Sequence, residues 1–177
     1  MKTGQVGCVI VLAAAAFALS GEALAQRSGS ANNGPGAYSA ADPYGSNATL
    51  RQALDTMQAG NYQLAETKFM EFLIAQPKHP RANFMLGVTE MQLGKWPEAK
   101  KYLEMAVEAA PREPDPKSRL GVTLAKLGDL DGAARQRDEL VKMDKACKGS
   151  CLNAKWIPGD IAMVDAAIAS AKAAAPH

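Results

Sequence analysis

Two cysteines, Cys147 and Cys151, are separated by three residues in "ACKGSC". No other residues of the chain are so well placed by type and spacing to do chemistry. Such a pair could exchange disulfides, hold a metal or staple a loop. The spacing is neither the C-x-x-C of thioredoxin-like redox sites nor the C-x-x-C-H of haem attachment. Copper sites with C-x-x-x-C need a histidine as well. The chain has two, His79 between prolines and His177 at its end. A structural disulfide is therefore expected, and by loop entropy it would add roughly 2 kcal/mol. A thiol-redox or metal-handling role for the pair is the alternative. Glu113 and Asp115 sit in a Pro-rich stretch, where solvated charge is the ordinary reading. No serine-nucleophile motif, phosphate-cradling glycine loop or metal-ligand cluster occurs, so the sequence predicts no enzyme, cofactor or metal site.

The disulfide reading depends on compartment, and the first residues address that. Lys2 precedes an apolar run from Val9 to Leu19, and "SGEALAQ" follows, with Ala23 and Ala25 ahead of Gln26. This is the tripartite pattern of a secretory leader with an A-x-A cleavage site. The run is short for a membrane span, and Gly21 and Glu22 end it. The expectation is that residues 1–25 form a signal peptide cleaved after Ala25, giving a periplasmic or secreted protein with no membrane insertion after cleavage. Cleavage removes Cys8 and leaves one pair of cysteines, as an oxidising compartment favours.

The 177 residues carry a formal net charge of +2. Lys and Arg are dispersed, which argues against nucleic acid as a partner. Residues 26–45, "QRSGSANNGPGAYSAADPYG", are rich in Gly, Ser, Asn, Pro and Ala and have no helical or strand period. They are expected to form a disordered tether, since they cannot bury enough apolar surface to offset ordering entropy.

From Ser46 the pattern becomes helical and repeats every 34 residues. Gly60, Gly94 and Gly128 share one column, and Ala65, Ala99 and Ala133 another. Tyr62, Trp96 and Leu130 form a third, while Pro77 and Pro111 mark the ends of two units. Each glycine follows a helical stretch, where a left-handed residue turns one helix into the next. The alanines allow close helix approach. Gly87 and Gly121 fall inside helices, at a cost near 1 kcal/mol against Ala, which tight packing is expected to offset. Each unit is thus two antiparallel helices that cannot bury an apolar face alone and must stack.

This pattern resembles the tetratricopeptide repeat, over residues 46–145, as three repeats at 46–79, 80–113 and 114–145. The middle unit, "RANFMLGVTEMQLGKWPEAKKYLEMAVEAAP", carries the resemblance best. The first departs at Gln52 and Ala53. The third has Arg137 where a bulky apolar residue is expected, and Lys145 in place of the closing proline. The resemblance implies an all-α, right-handed α-solenoid whose concave groove binds a peptide or protein segment, without catalysis. It places Leu50, Leu54, Met57, Phe84, Val88, Met91, Arg119 and Val122 in that groove. The same residues would be covered if the tether or the last helix lay over them. Family members that grip a C-terminal carboxylate use Lys, Asn and Arg at positions held here by Leu50, Leu54, Met85, Asp115 and Arg119. Only Arg119 fits, so such a clamp is not expected.

Residues 146–177 complete the chain with the cysteine loop and a further helix. Pro158 to Asp160 give start signals, and Ile157, Ile161, Val164, Ile168 and Ala171 recur at helical spacing. A repeat array needs an end cap with one apolar and one polar face, and this helix fits that need. The function expected is an exported protein-interaction scaffold. Similar repeat proteins serve envelope assembly, secretion or pilus biogenesis.

Overall fold

Three glycines set the course of the chain. Gly60, Gly94 and Gly128 have φ of 77°, 73° and 82°, a left-handed conformation that side chains disfavour. Around each, the residue after the glycine donates its amide five residues back: Asn61 to Thr56, Lys95 to Glu90 and Asp129 to Leu124, at 2.9–3.1 Å. This closing bond satisfies carbonyls left over at a helix end. The computed structural model describes residues 48–174. Among them are seven helices and no strand: α1 (Ala48–Gln58), α2 (Tyr62–Ala75), α3 (Pro80–Gln92), α4 (Trp96–Ala109), α5 (Pro114–Lys126), α6 (Leu130–Cys147) and α7 (Ile157–Ala174). The proposed leader and the whole of the proposed tether lie outside the described residues.

Helix starts are written locally. Asn61 caps α2 through the Leu64 amide, and Asp129 caps α6 through the Gly132 amide. His79 caps α3, its Nδ1 accepting from the Ala82 amide at 3.1 Å. Its ring also meets Phe72 edge-on at 5.1 Å. Pro80 and Pro114 open α3 and α5, where a missing N–H costs nothing.

The helices pair as hairpins, α1 with α2, α3 with α4 and α5 with α6, and successive hairpins stack. Ala65, Ala99 and Ala133 are fully buried, as are Phe69 and Leu103. In the middle hairpin, a Cβ on Gly87 would lie 2.7 Å from Leu103 Cγ, so the glycine is what admits Leu103. The first helices touch along the stack, α1 with α3 and α3 with α5. Troughs open between the second helices, between α2 and α4 and between α4 and α6. The first helices therefore form the inner side of an all-α solenoid.

The cap, α7, packs on both α5 and α6. Val164 is fully buried and reaches Gly121, where an added Cβ would meet both its γ-methyls at 2.9 Å. Arg137, at the position of Leu103 one repeat later, turns outward and donates to Asp165 of α7 at 3.1 Å. Ile157 is buried too, and Ile161, Ile168 and Ala171 pack against the core.

Candidate functional site

The inner side is lined by α1, α3 and α5, and the structure distributes the eight expected groove residues unevenly. Leu50, Leu54, Met57 and Phe84 are core, with Leu50 only 2% and Phe84 8% exposed. This corrects the expectation of an open apolar row. The first helices stand close together, so their longest apolar chains pack between helices and not into solvent. Val88, Met91, Arg119 and Val122 are half-buried and reach the surface. Val88 and Met91 lie three residues apart on α3 and pack against the core from outside. Arg119 meets the cap, its Nη1 lying 3.2 Å from Met163 Sδ. The accessible apolar part of the inner face therefore centres on Val88, Met91 and Val122.

Glu113 also departs from its expected solvated state. It is buried, and Asn153 of the cysteine loop donates to its Oε2 at 3.2 Å. The partner comes from 40 residues away, beyond the reach of a local reading. In the loop itself, Cys147 and Cys151 are bonded with Cα atoms 5.2 Å apart. No group of three or more metal-ligating side chains occurs among the described residues, and no helix there is long and apolar enough to cross a membrane.

Two features had little sequence signal. The first is a carboxyl cluster between the first and second repeats. Lys95 donates to both oxygens of Glu66 at 2.7 Å, and its Nζ lies 3.9 Å from Glu90 Oε2. Glu90 is buried on α3, 2% exposed. Burial above all, then the negative charge of Glu66, pushes its carboxyl up to about 7, although Lys95 opposes the rise. Tyr102 in the same cluster is raised as well, by burial and by these carboxylates. The second feature is the trough between α2 and α4, about 230 Å³, lined chiefly by Met70, Leu73, Ile74, Tyr102 and Met105. Ile74 there is 84% exposed. The i, i+4 spacing of Met70 and Ile74 was its only trace in the sequence.

The profile of the tetratricopeptide repeat family matches residues 50–114 and 89–146, together more than half of the chain. The chain belongs to that family. No curated protein matches it. Its fold is similar to that of the Yersinia enterocolitica type III secretion translocator chaperone SycD. The TM-score is 0.59 at 16% identity, over 70% of this chain and 83% of that one. It is also similar to PcrH, from Pseudomonas aeruginosa, in complex with the chaperone binding region of PopD. There the TM-score is 0.55 at 18% identity, over 71% of this chain and 89% of that one. The complex of the TPR2B domain of yeast Sti1 with pHsp70 gives 0.56 at 16% identity, over 68% and 98%. At these identities the likeness speaks for the fold alone.

Proposed function

We propose that this protein is an exported, non-catalytic scaffold that holds a segment of another protein along its inner face. The observation that carries the reading is the accessible apolar strip at Val88, Met91 and Val122, set on a repeat fold. Met and Val offer an adaptable apolar surface without fixed polar geometry. Such a surface suits an extended apolar segment or one face of an amphipathic helix. Structures of this fold include complexes with a peptide of the translocator YopD and with the chaperone binding region of PopD, which favours a peptide-like occupant. The leader pattern of residues 1–25 supports cleavage after Ala25 and a periplasmic or secreted location, with a place in envelope assembly, secretion or pilus biogenesis. In that compartment the Cys147–Cys151 bond serves as a staple.

The test is partner capture from envelope extracts by wild type and by Val88→Glu with Met91→Glu. Both side chains are only half-buried, so the variant should fold. It is expected to lose at least tenfold in capture, as anchors at an interface centre do. Equal capture would refute the inner face as the site. An N-terminal sequence starting at Gln26 and the absence of free thiols in freshly isolated protein are expected. A mature protein starting at Met1 would refute export by cleavage.

A further inference from the structure

Beyond the last repeat, the loop that carries the cysteines combines three properties that the inner-face reading does not use. It is exposed. From Lys148 to Trp156 every residue is exposed except the half-buried Asn153 and Ala154. It carries large apolar side chains at its surface, with Leu152 69% and Trp156 38% exposed. It is also cationic. Residues 145–156 contain Lys145, Lys148 and Lys155 and no carboxylate. Of the nearest acidic groups, Asp144 is half-buried and directly precedes Lys145, and two others face inward. Glu113 beneath the loop is buried against Asn153, and Asp160 just beyond it is buried at the start of α7. Asp144 thus offsets part of the lysines' field, and the loop surface keeps a net positive charge.

The loop is also held in shape. The Cys147–Cys151 bond closes its first half. Ser150 Oγ donates to the Cys147 carbonyl at 2.7 Å, and the Ala154 and Trp156 amides donate to the carbonyls of Cys151 and Asn153. Lys155 Nζ sits 4.5 Å from the centre of the Trp156 ring, so a cation and an aromatic face share one spot. Tryptophan favours the layer between lipid headgroups and acyl chains. Lysines beside it are drawn to anionic headgroups and lose that attraction over a Debye length. An exposed loop with Leu and Trp at its surface fits a soft headgroup layer, whereas a protein partner would need a matching cavity.

We propose that this loop docks the protein peripherally on an anionic lipid surface, through Leu152 and Trp156 at the interface and Lys145, Lys148 and Lys155 on the headgroups. No helix need span the bilayer. The assignment is independent of the inner-face reading, and the docked protein keeps that face available for a protein segment.

The experiment uses protein purified from the cells that make it, every variant carrying the same N-terminus. Binding is measured by co-sedimentation with vesicles of phosphatidylglycerol in phosphatidylcholine and with vesicles of phosphatidylcholine alone. In a Trp96→Phe background, Trp156 emission reports the loop directly and is expected to shift to shorter wavelength only with the anionic vesicles. Lys145→Ala, Lys148→Ala and Lys155→Ala together should weaken binding on the order of a hundredfold, about fivefold per lysine. Leu152→Ser should weaken it several-fold, and added salt should weaken wild type. Val88→Glu should bind vesicles like wild type, which separates this proposal from the inner-face reading. Equal binding to neutral and anionic vesicles, unchanged binding by the triple-lysine variant, or an unmoved Trp156 emission would overturn it. So would capture of an acidic protein through these lysines without vesicle binding.

Discussion

The middle and last repeats solve one packing problem in different ways. In the middle repeat the groove at Gly87 is filled from within, by Leu103 of the same hairpin. In the last repeat the equivalent groove at Gly121 is filled from outside, by Val164 of the cap. Arg137, freed from that place, pairs with Asp165 on the cap's surface. An interior hairpin keeps its own knob because repeats flank it on both sides. The last hairpin has no further repeat, so its knob is exchanged for one from a helix of different kind. What looks like a degraded repeat in the sequence is a repeat adapted to its neighbour.

The comparison breaks first, and furthest, at Leu103. Leu103→Ala should cost about 2–5 kcal/mol, the range for emptying a close-packed leucine site, measured by urea unfolding. A loss under about 1 kcal/mol would mean that Gly87 does not exist to admit this side chain.

The next effect also belongs to the middle repeat, which buries Glu90 where the last repeat has Leu124. The folded carboxyl, at about 7, lies above its ordinary 4.5. The folded chain therefore keeps a proton that the unfolded chain releases. This contribution is whole below about pH 4.5 and is lost as pH rises through about 7. It amounts to at most on the order of 3 kcal/mol, and less where water reaches Lys95 and Glu66. Melting temperature should fall over that window in wild type and fall less in Glu90→Gln. Identical pH profiles would remove the carboxyl cluster from the account.

A smaller effect sharpens the contrast between the two grooves. Gly87→Ala drives a methyl against Leu103, including its backbone amide at 3.3 Å, and should cost about 1–3 kcal/mol by overpacking. At Gly121 the three atoms nearest an added Cβ all belong to side chains, those of Val164 on the terminal helix and of Gln136. That helix can shift, and the gain in helix propensity, about 1 kcal/mol, opposes the strain. A net change under about 1 kcal/mol is expected. Equal costs in thermal melts would erase the distinction between an interior and a capped groove. Smallest of all, Arg137→Ala should cost under about 1 kcal/mol, since its pairs with Asp165 and Asp138 are exposed. A larger loss would make the ion pair, and not Val164, the main tie to the cap.

Much of this was legible in the residues. The turn glycines, the close-packed alanines and the spacing of Ile157, Ile161, Val164 and Ile168 are local or periodic signals, and they predicted the hairpins and the cap. Gly121 was readable as a close contact, but not its partner, because Val164 lies 43 residues on and outside the period. Glu113 read as solvated because Asn153, which covers it, is equally remote. The inner face was half legible. The resemblance to the repeat family placed Leu50, Leu54, Met57 and Phe84 beside Val88 and Met91, but it could not say how closely α1 and α3 approach. That distance decides which side chains are core and which are surface. The cluster of Glu66, Glu90 and Lys95 spans two repeats and follows no column at all.

The measurement that reaches the central claim most directly is site-specific photo-crosslinking in living cells. A photoreactive residue is placed at Val88 or Met91 on the inner face, and at exposed Glu104 on the outer helices. The account predicts crosslinks to the same protein segment from Val88 and Met91 and none to that segment from Glu104. Crosslinks from Glu104 with silence at Val88 and Met91 would contradict it, and would move the binding surface to the troughs between the second helices.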